Sequence, residues 1–249
     1  MEQRCLDFSP EDVLVIGYNQ SQLQALSRHV HEPSKPFAFD QLKEELRRAL
    51  HEKSLQQLRW FAPDFTLFPQ ALFDANSIQS YYHLNFGELA AGNQVHYQTI
   101  PAWNCVIIYS VPNWLYQLHK TELAQAHFKH QVKEILEVAY ERKASAEICI
   151  SLFETHFVLS SIHERKLQNC MAHEYQQSAD ILYFLLANFQ QLKPDPTTEL
   201  RIHVCHPEVK VPDLTQLITQ FKDLQQMPLH FEAFETYQHQ RLCASLEGH

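Results

Sequence analysis

EICISLFETHFVLSSIHERKLQNCMAHEYQQSADILYFLLANFQQL, from Glu147 to Leu192, holds three short apolar runs split by polar turns and then an amphipathic segment. The runs are Glu147 to Leu152, His156 to Ile162 and Lys166 to Tyr175. Each is rich in Ile, Val, Leu, Phe and Cys and short enough to be a strand. Ser178 is placed as an N-cap, and Ile181, Leu182, Leu185, Leu186 and Phe189 then recur at helical spacing. The stretch therefore predicts a three-strand meander feeding a helix.

The amino terminus repeats this order. Arg4 to Phe8, Val13 to Tyr18 and Gln22 to His31 read as strands, the VLVIG core of the second suggesting burial on both faces. Phe39 to Leu58 reads as a helix carrying Leu42, Leu46, Ala49 and Leu50 on one stripe. Cys5 and Cys149, Leu23 and Leu167, and His29 and His173 each stand 144 positions apart. An internal duplication is the expected reading, with a chance likeness of two common meanders as the alternative.

Between the meanders, Asp64 to Phe68 reads as a strand stopped by Pro69. Asn76 to Phe86 reads as a helix with Ile78, Tyr81, Tyr82 and Asn85 on one face, and Gly87 and Gly92 bracket a loop. Val95 to Ile100 and Asn104 to Val111 read as strands, Asn113 to Glu122 and Gln131 to Lys143 as helices, the last bridging two lobes. Beyond Leu192, Lys193-Pro194-Asp195-Pro196 stops the helix. Leu200 to Cys205 reads as a strand, Asp213 to Leu224 as a helix with a capping box from Asp213 and Gln216, and Leu229 to Phe234 as a final strand. The expected class is α/β: two lobes, each with a mixed sheet opening in a three-strand antiparallel meander. The expected lobes are residues 1–143, with an insertion around 76–111, and 144–245; residues 246–249 resemble the start of a purification tag.

A chain of 249 residues can bury a substantial core. Its net charge of −9 argues against a phosphate backbone as partner, since such partners need a basic face. Nothing resembling a leader follows Met1 to Arg4, and no run of about 18 apolar residues occurs. A cytoplasmic protein without membrane insertion is expected. The cysteines, Cys5, Cys105, Cys149, Cys170, Cys205 and Cys243, show no CxxC and read as reduced, buried thiols.

Three phrases carry a resemblance: FTLFPQALFD from Phe65 to Asp74, CISLFETHFVLSSIHERKLQNCMAHEY from Cys149 to Tyr175, and SADILYFLLANFQQL from Ser178 to Leu192. Together they resemble the bacterial family DUF3822, over nearly the whole chain. The resemblance implies an actin-like ATPase fold, the duplicated ribonuclease H-like architecture, and the element order is also similar to actin-fold proteins of pilus assembly. It implies no activity.

An actin-like ATPase wraps its phosphates with the first hairpin of each lobe. Such an approach needs glycine, and an acidic residue on the first strand positions metal and water. Here the hairpins are Asp7-Phe8-Ser9-Pro10-Glu11-Asp12 and Leu152-Phe153-Glu154-Thr155-His156, without glycine, and Pro10 lacks an amide donor. The four glycines are Gly17, Gly87, Gly92 and Gly248. Asp7 stands where a catalytic acid could sit, but its repeat position is Ser151, so no facing acid pair forms; Asp7 and Glu154 read as solvated strand-end groups. GxxxxGK[ST] and GxGxxG patterns are missing, so ATP turnover is expected to be lost and no cofactor is expected, and no GxSxG nucleophile elbow occurs.

Among 16 histidines, His29 with His31, His127 with His130, and His203 with Cys205 and His206 have suggestive spacing. Each group falls short of the three or four ligands a metal site needs, and scattered imidazoles are the expected reading. Aromatic residues crowd Trp60 to Tyr116, either as core or as a patch for a protein partner. The expected function is a catalytically inactive binding or scaffold module with another protein as partner. The alternatives are a divergent ATPase or small-molecule kinase using Asp7 or Glu154 and, last, a metal-dependent nuclease.

Overall fold

The computed structural model describes residues 3–10, 12–18, 23–30, 55–192, 198–209 and 227–234, with 214, 218–220 and 236–238. These divide into two units, Met1–Glu134 and Ile135–His249. The division falls inside a helix, Gln131–Glu141 (named α3 below), which the sequence marks as a bridge.

The first unit begins with β1 (Gln3–Phe8), β2 (Asp12–Tyr18) and β3 (Leu23–Val30), an antiparallel meander. β4 (Leu55–Trp60) runs parallel to β1, and β8 (His127–His130) parallel to β4, giving the order β3-β2-β1-β4-β8. β4 corrects the expected helix Phe39 to Leu58, whose earlier part lies outside the described residues. Leu, Gln and Arg favour helix in isolation, but Leu55 and Leu58 are buried by parallel pairing with β1, and tertiary burial overrides propensity. β8 corrects the possibility of a helical face shared by His127 and His130. Four mostly polar residues make a strand because β4 offers them a ladder, and His127 is exposed while His130 is fully buried.

Between β4 and β8 lies a second, three-stranded sheet of order β5-β7-β6, from β5 (Phe65–Pro69), β6 (Asn93–Ile100) and β7 (Cys105–Pro112). The apolar run CVIIYSV is its buried centre, and Pro69 ends an edge strand, where a missing amide is tolerated. α1 (Ile78–Phe86) packs Tyr82, Ile78, Tyr81 and Phe86 toward Val95, Val106 and Ile108. Asn85, expected on that face, is exposed, and its side chain donates to the Tyr81 carbonyl at 2.8 Å. Gly87 closes the helix with φ +74° and Gly92 turns the loop with φ +85°, both left-handed positions that favour glycine. α2 (Asn113–Thr121) buries Leu115 and Leu118. Gln98 ties the two sheets together. Its amide donates to the Phe128 carbonyl at 2.8 Å and its carbonyl accepts from the His130 amide at 3.0 Å, so one side chain takes the place of a neighbouring strand along β8.

The second unit contains most of α3 and then β9 (Ala146–Leu152), β10 (His156–His163), β11 (Lys166–Glu174), α4 (Ser178–Leu192), β12 (Glu199–Val204) and β13 (Leu229–Glu232). Its sheet order is β11-β10-β9-β12-β13, with the first three antiparallel and the last two joining in parallel. Ile148, Ile150, Phe157, Leu159, Ile181, Leu185 and Ile202 form its core, each side chain worth roughly 1.5–3 kcal/mol on full burial. Ser178 is the first helical residue of α4 rather than its cap. Asp180 reaches back instead, accepting from the Gln176 and Gln177 amides at 2.9 and 3.0 Å. Of the expected helix Asp213 to Leu224, Leu214 and Ile218 are described and helical, while Asp213 and Gln216 lie outside the described residues, as do Lys193 to Pro196.

The offset of 144 recurs in the hydrogen-bond registers. Cys5 pairs Ile16 and Cys149 pairs Ser160; Val13 pairs His29 and Phe157 pairs His173; Asp7 pairs Arg59 and Ser151 pairs His203. The link from Phe61 amide to Phe8 carbonyl has its counterpart, also at 2.8 Å, from Cys205 to Leu152.

Candidate functional site

In the first unit the hairpin between β1 and β2 is closed by its own groups. The Ser9 amide donates to the Asp12 carbonyl at 2.9 Å, the Asp12 amide to Ser9 Oγ at 3.0 Å, and the Ser9 hydroxyl to Asp12 Oδ1 at 2.9 Å. Arg28 Nε donates to Asp12 Oδ2 at 2.7 Å. Two of the turn's amides are thus spent internally, Pro10 has none, and a buried carboxylate stands at the turn. Phe8 beside it is buried, its ring 6.0 Å from that of Trp114.

Asp7 corrects an expectation: it is buried, not solvated. Both its oxygens are taken by Arg59, through Nε on Oδ1 and Nη2 on Oδ2 at 2.7 Å, a bidentate pair. Arg59 also reaches Glu134 Oε2 through Nη1 at 3.3 Å, and the Cys5 thiol lies 3.5 Å from Asp7 Oδ1. Burial alone would weaken the guanidinium's charge, but Asp7, Cys5 and Glu134 outweigh it and hold Arg59 well above its ordinary range. The bidentate pair takes one acceptor site on each Asp7 oxygen and fixes the carboxylate's orientation.

In the second unit the corresponding turn is held by the Phe153 amide on the His156 carbonyl at 2.8 Å and by the Tyr175 hydroxyl on the Phe153 carbonyl at 2.7 Å. Phe153 is buried and Glu154 exposed, as a solvated acid would be. Ser151 stands where Asp7 stands in the first unit, and His203 where Arg59 stands. His203 Nδ1 is 3.2 Å from Cys149 Sγ, its Nε2 is 3.5 Å from Glu232 Oε2, and its ring stacks on Tyr237 at 4.2 Å. Thiol, imidazole and carboxylate in line have the order of a nucleophile, base and orienting acid. Burial, chiefly, pushes the Cys149 thiol up to about 12, and the residue is enclosed, which disfavours the thiolate such a nucleophile would need. Glu147, also buried, lies against Arg142, which donates through Nε at 3.0 Å, and 2.8 Å from Arg201 Nε.

Two histidines of these groups have described partners within the protein. His130 is buried among Phe61, Phe65 and Tyr109, accepts from the Ala62 amide at 3.1 Å, and is driven by burial down to about 3. His203 is committed to Cys149 and Tyr237, and Cys205 is buried. His29 lies in β3 and His31 outside the described residues. Sequence reasoning missed the Asp7–Arg59 pair because its members are 52 residues apart. A signal existed in the spacing: Arg59 and His203 stand 144 positions apart, the step that also separates Cys5 from Cys149.

The family model for the protein of unknown function DUF3822 matches residues 13–222. The chain belongs to this family. No curated protein matches it in sequence. Among solved structures, a protein of Bacteroides thetaiotaomicron described as having an actin-like ATPase fold and unknown function superposes with a TM-score of 0.73 at 17% identity, covering 100% of this chain and 96% of its own. A chain of the PilM–PilN type IV pilus biogenesis complex gives 0.59 at 10% identity, covering 100% and 98%. This DUF3822 member therefore has an actin-like ATPase fold with mixed sheets. No helix among the described residues is long and apolar enough to cross a membrane.

Proposed function

We propose that this DUF3822 protein is a catalytically inactive actin-like-fold protein that serves as a binding or scaffold module for another protein. The observation that carries the reading is the buried bidentate pair of Asp7 with Arg59, which places a fixed guanidinium against the first-strand acid that, with Glu154, a nucleotide-dependent mechanism could call on. The self-closed Ser9–Asp12 turn supports it, since its described amides and its carboxylate are unsuited to a phosphate. We read the lobes, 1–143 and 144–245, as two copies of one ribonuclease H-like unit. The shared order and the constant offset of 144 in three pairs of strand registers support that duplication. The likeness to a chain of the PilM–PilN complex supports a role in assembly for this frame. A cytoplasmic location and a protein rather than nucleic-acid partner fit the net charge of −9.

The test is thermal unfolding with increasing ATP and magnesium. A ligand that binds only the folded state at a hundred times its Kd stabilises by about 2.7 kcal/mol, so binding is visible as a rising midpoint. The expected result is an unchanged midpoint at millimolar nucleotide. A rise that Asp7→Ala abolishes would overturn the reading in favour of a divergent ATPase or kinase.

A further inference from the structure

On the three-stranded sheet of the first unit, Tyr97 stands exposed at the end of an aromatic row formed with Phe73, Tyr81 and Phe68. Val95, Tyr97 and Thr99 alternate onto one face of β6, and α1 covers only the Val95 end. Tyr97 is 41% exposed and leans on Phe73, with ring centroids 4.8 Å apart. Phe73 lies 6.2 Å from Tyr81, which stacks on Phe68 at 4.3 Å, and Leu72, 70% exposed, stands beside Phe73 in the chain. The stretch of sequence carrying these residues has charge of one sign. From Trp60 to His119 the chain has no lysine or arginine, while Asp64, Asp74 and Glu88 are all exposed. Asp74 follows Phe73 directly. Its carboxylate accepts from the Asn76 amide at 2.9 Å and the Ser77 hydroxyl at 3.1 Å, bonds that hold it ionised below the usual carboxylate range.

Resting on the scaffold reading above, we propose that Leu72, Phe73, Tyr81 and Tyr97, edged by Asp74, are the docking surface for a short segment of a partner protein that pairs arginine or lysine with an apolar residue. Aromatic faces and an exposed acid are complementary to a cation placed over a ring, and exposed leucine to an aliphatic side chain. The same unit shows the contact internally, with Lys120 Nζ 5.3 Å from the centre of the Tyr116 ring. The acids repel phosphate backbones and anionic lipid surfaces, which favours a peptide over either.

The test is fluorescence anisotropy on the full chain at physiological ionic strength. The probes are a labelled peptide of about twelve residues alternating arginine and leucine, its glutamate–leucine and arginine–serine counterparts, a single-stranded oligonucleotide and phosphatidylserine vesicles. The arginine–leucine peptide is expected to bind saturably and more tightly than the other probes. Tyr97→Ala and Leu72→Ser each weaken it about tenfold, the loss typical of a contact carrying binding energy. Asp74→Asn also weakens it, and Tyr183→Ala, removing an exposed ring of the second unit, leaves it unchanged. Unchanged thermal midpoints show that the variants fold. Wild-type affinity in both Tyr97→Ala and Leu72→Ser, or equal binding of any other probe, overturns this surface while leaving the scaffold reading intact. Stabilisation by ATP overturns the scaffold reading instead, whichever peptides bind.

Discussion

Replacing Arg59 with methionine removes the guanidinium that pairs with two buried carboxylates, Asp7 and Glu134. Asp7 loses both partners of its bidentate pair, and Glu134 loses the contact at 3.3 Å. What remains near Asp7 is the Cys5 thiol, 3.5 Å from one oxygen, a weak donor that cannot replace a guanidinium. Breaking a buried ion pair from one side costs about 3–5 kcal/mol, because the orphaned charge keeps its desolvation penalty. For a chain of this size that lowers the midpoint of unfolding by roughly 6–20 °C. Tryptophan fluorescence in urea is a suitable assay, since Trp60, Trp103 and Trp114 all lie in the first unit and report its unfolding apart from the second. If burial of unpaired charge causes the loss, adding Asp7→Asn to Arg59→Met restores part of it, and adding Glu134→Gln restores more. A loss below about 1 kcal/mol for Arg59→Met, or an Asp7→Asn cost that simply adds to it, would refute the reasoning.

Protonation of His130 is held off by burial to about pH 3, whereas in the unfolded chain it titrates near 6.5, so the unfolded state takes up the proton first. Stability is therefore full above pH 6.5 and lost as pH falls toward 3, by about 2 kcal/mol at pH 5 from this group; guanidinium midpoints should show this slope flattened in His130→Gln. Gln98→Leu leaves the Phe128 carbonyl and His130 amide without their described side-chain partner, at a cost of about 1–3 kcal/mol, and hydrogen exchange at the His130 amide should accelerate. In the β10–β11 hairpin, Glu164 and Arg165 both hold left-handed conformations, φ 50° and 59°, where Asn-Gly is the favoured pair. Glu164→Asn with Arg165→Gly should stabilise the second unit by about 1–2 kcal/mol in urea unfolding, and a loss of stability would show that the side chains replaced contribute more than the strain they carry.

The two meanders were legible because strand alternation, polar turns and a constant spacing all carried the same message at short range. The spacing proved more informative than the identities it aligned: Leu23 with Leu167 and Cys5 with Cys149 are bland matches, yet the same step relates whole registers of hydrogen bonds. β4 and β8 were hidden for a physical reason. Both are made strands by a partner strand distant in sequence, and local composition in LQQLRW and HFKH points elsewhere. The chemistry was hidden by the same distance. Asp7 reads as an available acid until the strand carrying Arg59 is laid beside it, and only the offset linking Arg59 to His203 hinted that this place in each sheet tolerates a polar side chain. There the two units diverge. One fills the place with a permanent cation clamped on a carboxylate, the other with an imidazole against a thiol. Each solution binds a polar side chain near the end of the first strand to a neighbouring strand, Asp7 to Arg59 and Cys149 to His203.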